Sequence, residues 1–422
     1  MRRSFMPAPF AASIAFALAG CGGQGGSATA QLGADPHLPG QQQYLVPPIH
    51  IARVAPWNGA TPTVPRGMRI QALATGFKNV RELYVLPNGD ILAVEPKGPQ
   101  EPIARPKDIL VNLIQGFGHS KTEGGNRITL LRDADGDGRA EVRTVFLDNL
   151  VSPFGVTLVG GDLYVANTDA IVRFPYRTGQ TRITAPGTVV TPLPGGPINH
   201  HWTKSLTASP DGAHLYVGIG SNSNITEKGM EAERDRARIW EVDRATGAHR
   251  DYATGLRNPN GLTFHPDTGQ LWTVVNERDE LGPDLVPDYL TSVRPGAFYG
   301  WPYSYWGRHV DPRVRPQRPD MVARATMPDY SLSSHVAPLG MVFNQGAGLP
   351  VAYRGGAFNG YKVVWVPFRD GRPSGKAQDV VTGFLDGDGR ARGRPVGVAV
   401  DRTGALLIAD DVGNVVWRVT AG

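Results

Sequence analysis

Cysteine is nearly absent. Cys21 is the only one among 422 residues, so no intramolecular disulfide can staple the chain and no thiol pair can do redox or metal chemistry. Lysine and arginine never gather into a block. With 43 basic and 38 acidic residues the net charge of +5 is scattered, which argues against a nucleic-acid partner. There is no G-x-S-x-G elbow, no phosphate-binding loop and no histidine pair at zinc spacing on a helix. No long 3.6-residue apolar periodicity runs through the chain, so helices should be scarce.

What is abundant is turn chemistry beside apolar residues. Gly 53 and Pro 36 make up about a fifth of the chain, yet hydrophobic residues reach 41%, too apolar for disorder and suited to an all-β protein with many tight turns. At 422 residues the chain exceeds one ordinary core, so it holds several domains or one architecture that grows by repetition. Repetition is visible. An apolar strand, a Gly/Asp/Asn turn and a second apolar strand recur at 83–95, 152–167, 205–220, 258–276 and 394–411, and "APLGMVFNQG" at 337–346 is the first half of a sixth. Six such hairpins, each with room for two more strands, predict a six-bladed β-propeller of four-stranded antiparallel blades. A β-sandwich is the rival, but it does not require the x-P-x-G lead-in that precedes most of the hairpins.

The first residues follow another logic. Arg2 and Arg3, an apolar run and Leu18-Ala19-Gly20-Cys21 have the order of a secretory signal, and the last four resemble the bacterial lipobox, whose cysteine is lipidated. An uncleaved membrane anchor is the alternative. The expected division is a lipoprotein signal peptide over 1–20, a flexible tether and N-terminal extension over 21–65, and the propeller over 66–422. The protein is then exported and faces the periplasm from a membrane, the outer membrane by preference.

In a propeller, residues just before and after each inner hairpin converge on one end of the central channel. Polar residues stand at such places: Arg81, His201, Arg257 with Asn258, His335 and Arg394. Each alone reads most simply as a satisfied structural group; together they predict one site. "DADGDGRAE" at 133–141 alternates carboxylates as a calcium loop does, and a polar hairpin turn explains it as well. "DGDGR" at 386–390 is more simply a turn. Trp301 is expected to pack in the core and help shape the site's mouth.

"GLRNPNGL", "NERDELGPDLVPDY" and "FYGWP" resemble the signature of the PQQ-dependent soluble glucose, aldose sugar and sorbosone dehydrogenases, which are six-bladed propellers. "HHWTKSLTASPDGAHLYVGIGSNSN" and "RPVGVAVDRTGALLIADDVGNVVWRV" are most similar to the sorbosone branch. The resemblance runs from about residue 66 to the C-terminus. It implies oxidation of a sugar or sugar-derived aldehyde with PQQ and Ca²⁺, and electron transfer to a periplasmic cytochrome or quinone. Residue by residue, it implies His201 as the catalytic base, with His200 the weaker candidate, and Arg257 and Asn258 beside the quinone and the substrate. It implies that Gly282 and Pro283 offer backbone carbonyls to the metal, and that His335 and Arg394 line the cofactor, with Arg392 and Arg81 as further contacts.

A neutral histidine is a suitable base for a hydroxyl proton, and a hard cation with a guanidinium stabilises negative charge on quinone oxygens. One departure stands out. Relatives in this branch carry about a dozen more residues, with a Gly-Ser-Trp-Asn-Arg-like segment, where Phe358-Asn359-Gly360 makes a direct connection here. Lys362 or Arg392 is the expected substitute for the missing cation. A propeller that binds a carbohydrate or protein without catalysis is the main alternative. A lactonase-type hydrolase is a third, and it would need a carboxylate and Asn cage around a metal.

Overall fold

In the computed structural model the described residues are 28–42, 52–99, 124–359 and 362–422. The signal segment, Cys21 and Gly360 lie outside them. All six expected hairpins form, and each is the inner half of an antiparallel blade. The inner strands are Glu82–Val85, Val156–Val159, Leu206–Ala208, Pro259–Phe264, Met341–Asn344 and Pro395–Val400, which open blades 1 to 6 in chain order. Three more strands follow outward in each blade, and the fourth strand of blade 6 is the chain's own Met68–Thr75, paired with Val415–Ala421. The chain is a six-bladed β-propeller.

The x-P-x-G motif has a packing reason. A Cβ on Gly261 of blade 4 would lie 2.7 Å from Met341 N of blade 5, and one on Gly397 of blade 6 would lie 2.6 Å from Arg81 O of blade 1. Gly155 and Gly340 meet the backbones of Leu206 and Val396 in the same way. Glycine is thus required where neighbouring inner strands approach each other. Between blades the sheets bury apolar faces, as where Leu83, Ala93 and Leu131 pack against Val396, Leu407 and Ala409. The inner strands ring a channel of about 270 Å³.

Two features differ from expectation. The tether predicted over 21–65 is, in its described parts, bound to the propeller. Leu32–Gly33 pair with Leu332 and Ser331 as a fifth strand of blade 4, Gln42 N–H donates to Leu281 O at 2.8 Å, and Trp57 stacks edge-on against Phe384 and Trp417. Gly/Pro-rich composition suggested flexibility, but the apolar side chains and backbone groups along it find partners. Blade 4 also carries an excursion between its third and fourth strands, with a short hairpin at 304–310 and the helix Pro319–Arg324, the one α-helix among the described residues.

Candidate active site

Register places the lead-in and the exit of every inner hairpin at one end of the channel. Pro259 faces Val275 in blade 4, Pro395 faces Asp410 in blade 6, and Leu206 faces Val217 in blade 3. The residues flanking these pairs make two groups.

The first group belongs to blades 3 and 4. His201 Nδ1 lies 2.8 Å from Ser221 O and 3.0 Å from Ser221 Oγ. A carbonyl oxygen only accepts, so Nδ1 carries the proton and Nε2 the lone pair. Burial, then the charge of Arg257 and the neighbouring His200, hold the imidazole well below its ordinary pKa, so it is neutral. Asn258 is adjacent, since a Cβ on Gly220 would collide with both Asn258 Oδ1 and His201 Cβ. Asn258 Oδ1 is buried and has no hydrogen-bond partner in the protein.

Arg257 is buried behind them. Its Nη1 donates to Glu277 O at 2.8 Å and Asn276 O at 3.2 Å, Nη2 to Asn224 Oδ1 at 3.1 Å, and Nε to Asn224 O at 3.3 Å. Four of its hydrogen bonds therefore go to the protein, and what it offers the site is charge. Trp301 is buried as expected and donates from Nε1 to the same Asn224 carbonyl at 3.1 Å. His335 bridges Asp279 Oδ1 and Gly282 O, each at 3.1 Å. Burial opposes its charge, but Asp279 and the Gly282 carbonyl raise its pKa to about 9. Burial pushes Glu277 up to about 8 and Asp288, which caps the N–H groups of Glu277 and Ala337, up to about 6.

The second group faces it from blades 6 and 1. Arg394 makes two 2.7 Å bonds to Asp411, whose carboxylate is fully buried, and Arg81 Nε stands 3.4 Å from the same carboxylate. Arg81 also lies over the Trp202 ring, 5.6 Å from its centroid, which joins this group to the residue beside His201. Two guanidinium groups share one carboxylate, leaving one net positive charge. Arg81 Nε is buried and has no hydrogen bond.

Arg81, His201, Arg257, Asn258, Gly282, His335 and Arg394 are thus brought to one end of the propeller. Pro283 follows Gly282 on the same loop and is exposed. No side-chain contact among the described residues places Arg392 in either group. Lys362 does not substitute for a missing cation, because it is engaged with Asp379 at 2.7 Å on the outer part of blade 5. Asp133, Asp135, Asp137 and Glu141 bring ligand atoms within 4.8 Å of one another, far out between the third and fourth strands of blade 1. All four also accept hydrogen bonds from backbone N–H groups of their own turn. Asp386–Arg390 is a turn, as expected.

Sequence reasoning missed Ser221, Asn224, Glu277, Asp279 and Asp411. The usable signal was position, since Ser221, Glu277 and Asp411 directly follow inner hairpins just as Arg257 and Arg394 precede them.

Comparison with known proteins adds the following. The pattern of the TrAA12-like family matches residues 121–288, less than half of the chain. An uncharacterized protein of Borreliella burgdorferi is 27% identical over 241 residues, 54% of this chain and 62% of that protein. Aldose sugar dehydrogenase YliI of Escherichia coli is 25% identical over 181 residues, 39% of this chain and 46% of that enzyme. The chain therefore matches only about half to three fifths of the length of these curated relatives. Among solved structures, the holo PQQ domain of pyranose dehydrogenase from Coprinopsis cinerea superposes with TM-score 0.68 at 18% identity, over 86% of this chain and 98% of that one. A Trichoderma reesei carbohydrate-active enzyme of family AA12 gives TM-score 0.69 at 17% identity, over 89% and 100%. What they share is the fold.

Proposed function

We propose that the chain is a PQQ-dependent dehydrogenase that oxidises an aldose or a sugar-derived aldehyde, sorbosone-like in class, with His201 as the base. The observation that carries the reading is the state of His201. Ser221 fixes its tautomer, so the Nε2 lone pair is available beside Asn258 Oδ1, which has no hydrogen-bond partner, and between two arginine groups. The dehydrogenase names among the proteins with this fold add support.

The residues fit a quinone with several carboxylates. Arg394 and Arg81 supply positive charge on one side and Arg257 on the other, and the buried Arg81 Nε makes no hydrogen bond within the protein beyond its 3.4 Å ion pair with Asp411. PQQ, when bound, supplies the ortho-quinone that accepts the hydride. The chain's own part is to take the substrate's hydroxyl proton on His201 Nε2, orient the hydroxyl with the Asn258 amide, and hold the charge of Arg257 behind both. The acceptor that takes the electrons on is proposed to be a periplasmic cytochrome or quinone. Calcium fits less well. The Gly282 carbonyl already accepts from His335 Nε2, and that ring is paired with Asp279, so no step is assigned to a cation.

Calorimetric titration of the purified chain with PQQ, with and without Ca²⁺, tests the cofactor. Binding with His201→Ala lowering kcat by about 10² to 10⁴ and leaving PQQ affinity intact supports the assignment. No measurable PQQ binding rejects it in favour of a carbohydrate- or protein-binding propeller. Loss of activity in His200→Ala instead moves the base by one residue. We further propose export and lipid anchoring at Cys21. Cys21→Ser should release the protein from membranes with its fold intact, and unlipidated Cys21 in mature wild-type protein would reject the anchor.

A further inference from the structure

His201 sits in a stretch without regular structure. Between Pro192 and Leu206 no strand or helix forms, and Pro194, Gly195, Gly196 and Pro197 favour turns over a ladder. Something else must fix the backbone that carries the base. Two basic side chains lie buried against it. Lys204 is fully buried, with Nζ 3.2 Å from Trp202 O and 3.5 Å from His201 O. Arg236 is 3% exposed; its Nη2 donates to His201 O at 3.1 Å and to Asn199 Oδ1 at 3.0 Å, and its Nη1 donates to Pro194 O. Asn199 in turn donates to Thr168, whose hydroxyl donates to Trp202 O at 3.0 Å.

Burying an amine and a guanidinium is costly, and apolar side chains of the same volume would commonly stabilise a blade more. Burial, then the charge of Arg236, holds the Lys204 amine well below its ordinary pKa. These two side chains are therefore poor choices for stability alone. They converge on two consecutive carbonyls, those of the base and its neighbour.

We propose that Arg236 and Lys204 are positioning residues for His201: they clamp the carbonyls of residues 201 and 202 from the buried side, so that the ring meets Ser221 through Nδ1 and keeps Nε2 as the accepting nitrogen. The groups that act on this ring are Arg257 from the blade 4 lead-in, Arg236 from the turn before the third strand of blade 3, His200 beside it, and Ser221 through its hydroxyl and carbonyl. Arg236 and Arg257 both disfavour an added proton on it. The catalytic consequence rests on the dehydrogenase reading, but the placement of His201 can be measured in ligand-free protein.

The test is NMR titration of the histidine ring nitrogens in the ligand-free chain, with His201 identified by the signal lost in His201→Gln, alongside kcat and KM of the PQQ-loaded chain. Wild-type His201 should stay neutral, as the Nδ1–H tautomer, well below the ordinary midpoint of about 6.5. Arg236→Met should raise that midpoint only slightly, since burial and Arg257 still hold it down, but should mix the tautomers and lower kcat about tenfold with KM little changed. Arg236→Lys should keep the low midpoint while losing part of the tautomer preference. Lys204→Met should lower kcat and leave the midpoint in place. Should Arg236→Met fail to fold, a wild-type tautomer and kcat in both Arg236→Lys and Lys204→Met overturns the proposal. Unchanged midpoint, tautomer and kcat in Arg236→Met overturns it directly. A loaded chain without activity rejects the dehydrogenase reading, and the ring titration then decides the positioning role by itself.

Discussion

Blades 4 and 5 share one scaffold and carry very different exits. In blade 4 the link from Val275 to Pro287 holds Asn276, Glu277, Asp279 and Gly282, and His335 leans onto it from the lead-in of the next blade. In blade 5 the corresponding link runs only from Asn359 to Val363, and the residues at its ends are buried strand. Both hairpins fold, so the exits are not what holds the propeller together. Chemistry is placed in the links, and among the described residues the blade 5 link adds no side chain to either group, with Asn359 Oδ1 buried and without a hydrogen bond there.

The comparison breaks most severely if the cations beyond blade 5 lose their anchor. Asp411→Ala leaves Arg394 and Arg81, both partly exposed, crowded with no carboxylate, and loss of these charge-assisted bonds should cost about 1 to 3 kcal/mol. Denaturant unfolding should record that loss, and a value near zero would mean that solvent reaches both guanidinium groups. Loading the bare exit should sharpen the contrast. A Gly-Ser-Trp-Asn-Arg-like segment inserted after Phe358 should strengthen PQQ binding by about ten- to a hundredfold for one added charge-assisted contact, as read by calorimetry. An unchanged affinity would mean that Arg81 and Arg394 already saturate the carboxylates.

Unloading blade 4 gives smaller effects. Glu277 has a pKa of about 8 in the fold against an ordinary 4.5, so it binds its proton more tightly folded than unfolded. Its contribution is full below about pH 4.5 and fades as pH rises toward 8. Glu277→Gln should therefore flatten the decline of unfolding free energy across that window, and an unchanged slope would assign the decline to another group such as Glu82, which burial also raises to about 8. Last, His335→Ala frees the Gly282 carbonyl and should improve Ca²⁺ affinity of the PQQ-loaded chain a few-fold. Weaker calcium binding would mean that the ring instead orients that carbonyl for the cation.

Much of the fold was legible because hairpin alternation, turn residues and the x-P-x-G glycine all report on one repeated contact. The lead-ins were legible too, since Arg81, Arg257, Asn258 and Arg394 interrupt apolar patterns at matched positions. The exits were harder. Ser221 and Asp411 look like ordinary loop residues until register sets them beside a partner about 20 residues away in sequence. Lys204 and Arg236 were invisible because basic residues next to strands read as surface, and only packing puts them inside. The N-terminal strap was misjudged because composition says how freely a segment can move alone, not whether an open strand such as Tyr330–Ser334 stands ready to pair with it.

The pairing of Met68–Thr75 with Val415–Ala421 has a consequence for how the molecule is made. Blades 1 to 5 are built almost wholly from neighbouring segments, but blade 6 needs residues separated by most of the chain. Closing so long a loop carries an entropic cost that only the completed circle offsets, so the ring should shut late and in one cooperative step. Until Val415–Ala421 leave the ribosome, Leu406–Asp410 keeps an unpaired edge on its outer side, the kind of edge that recruits other strands. Synthesis that stalls short of residue 415 should therefore yield an aggregating chain rather than a five-bladed one.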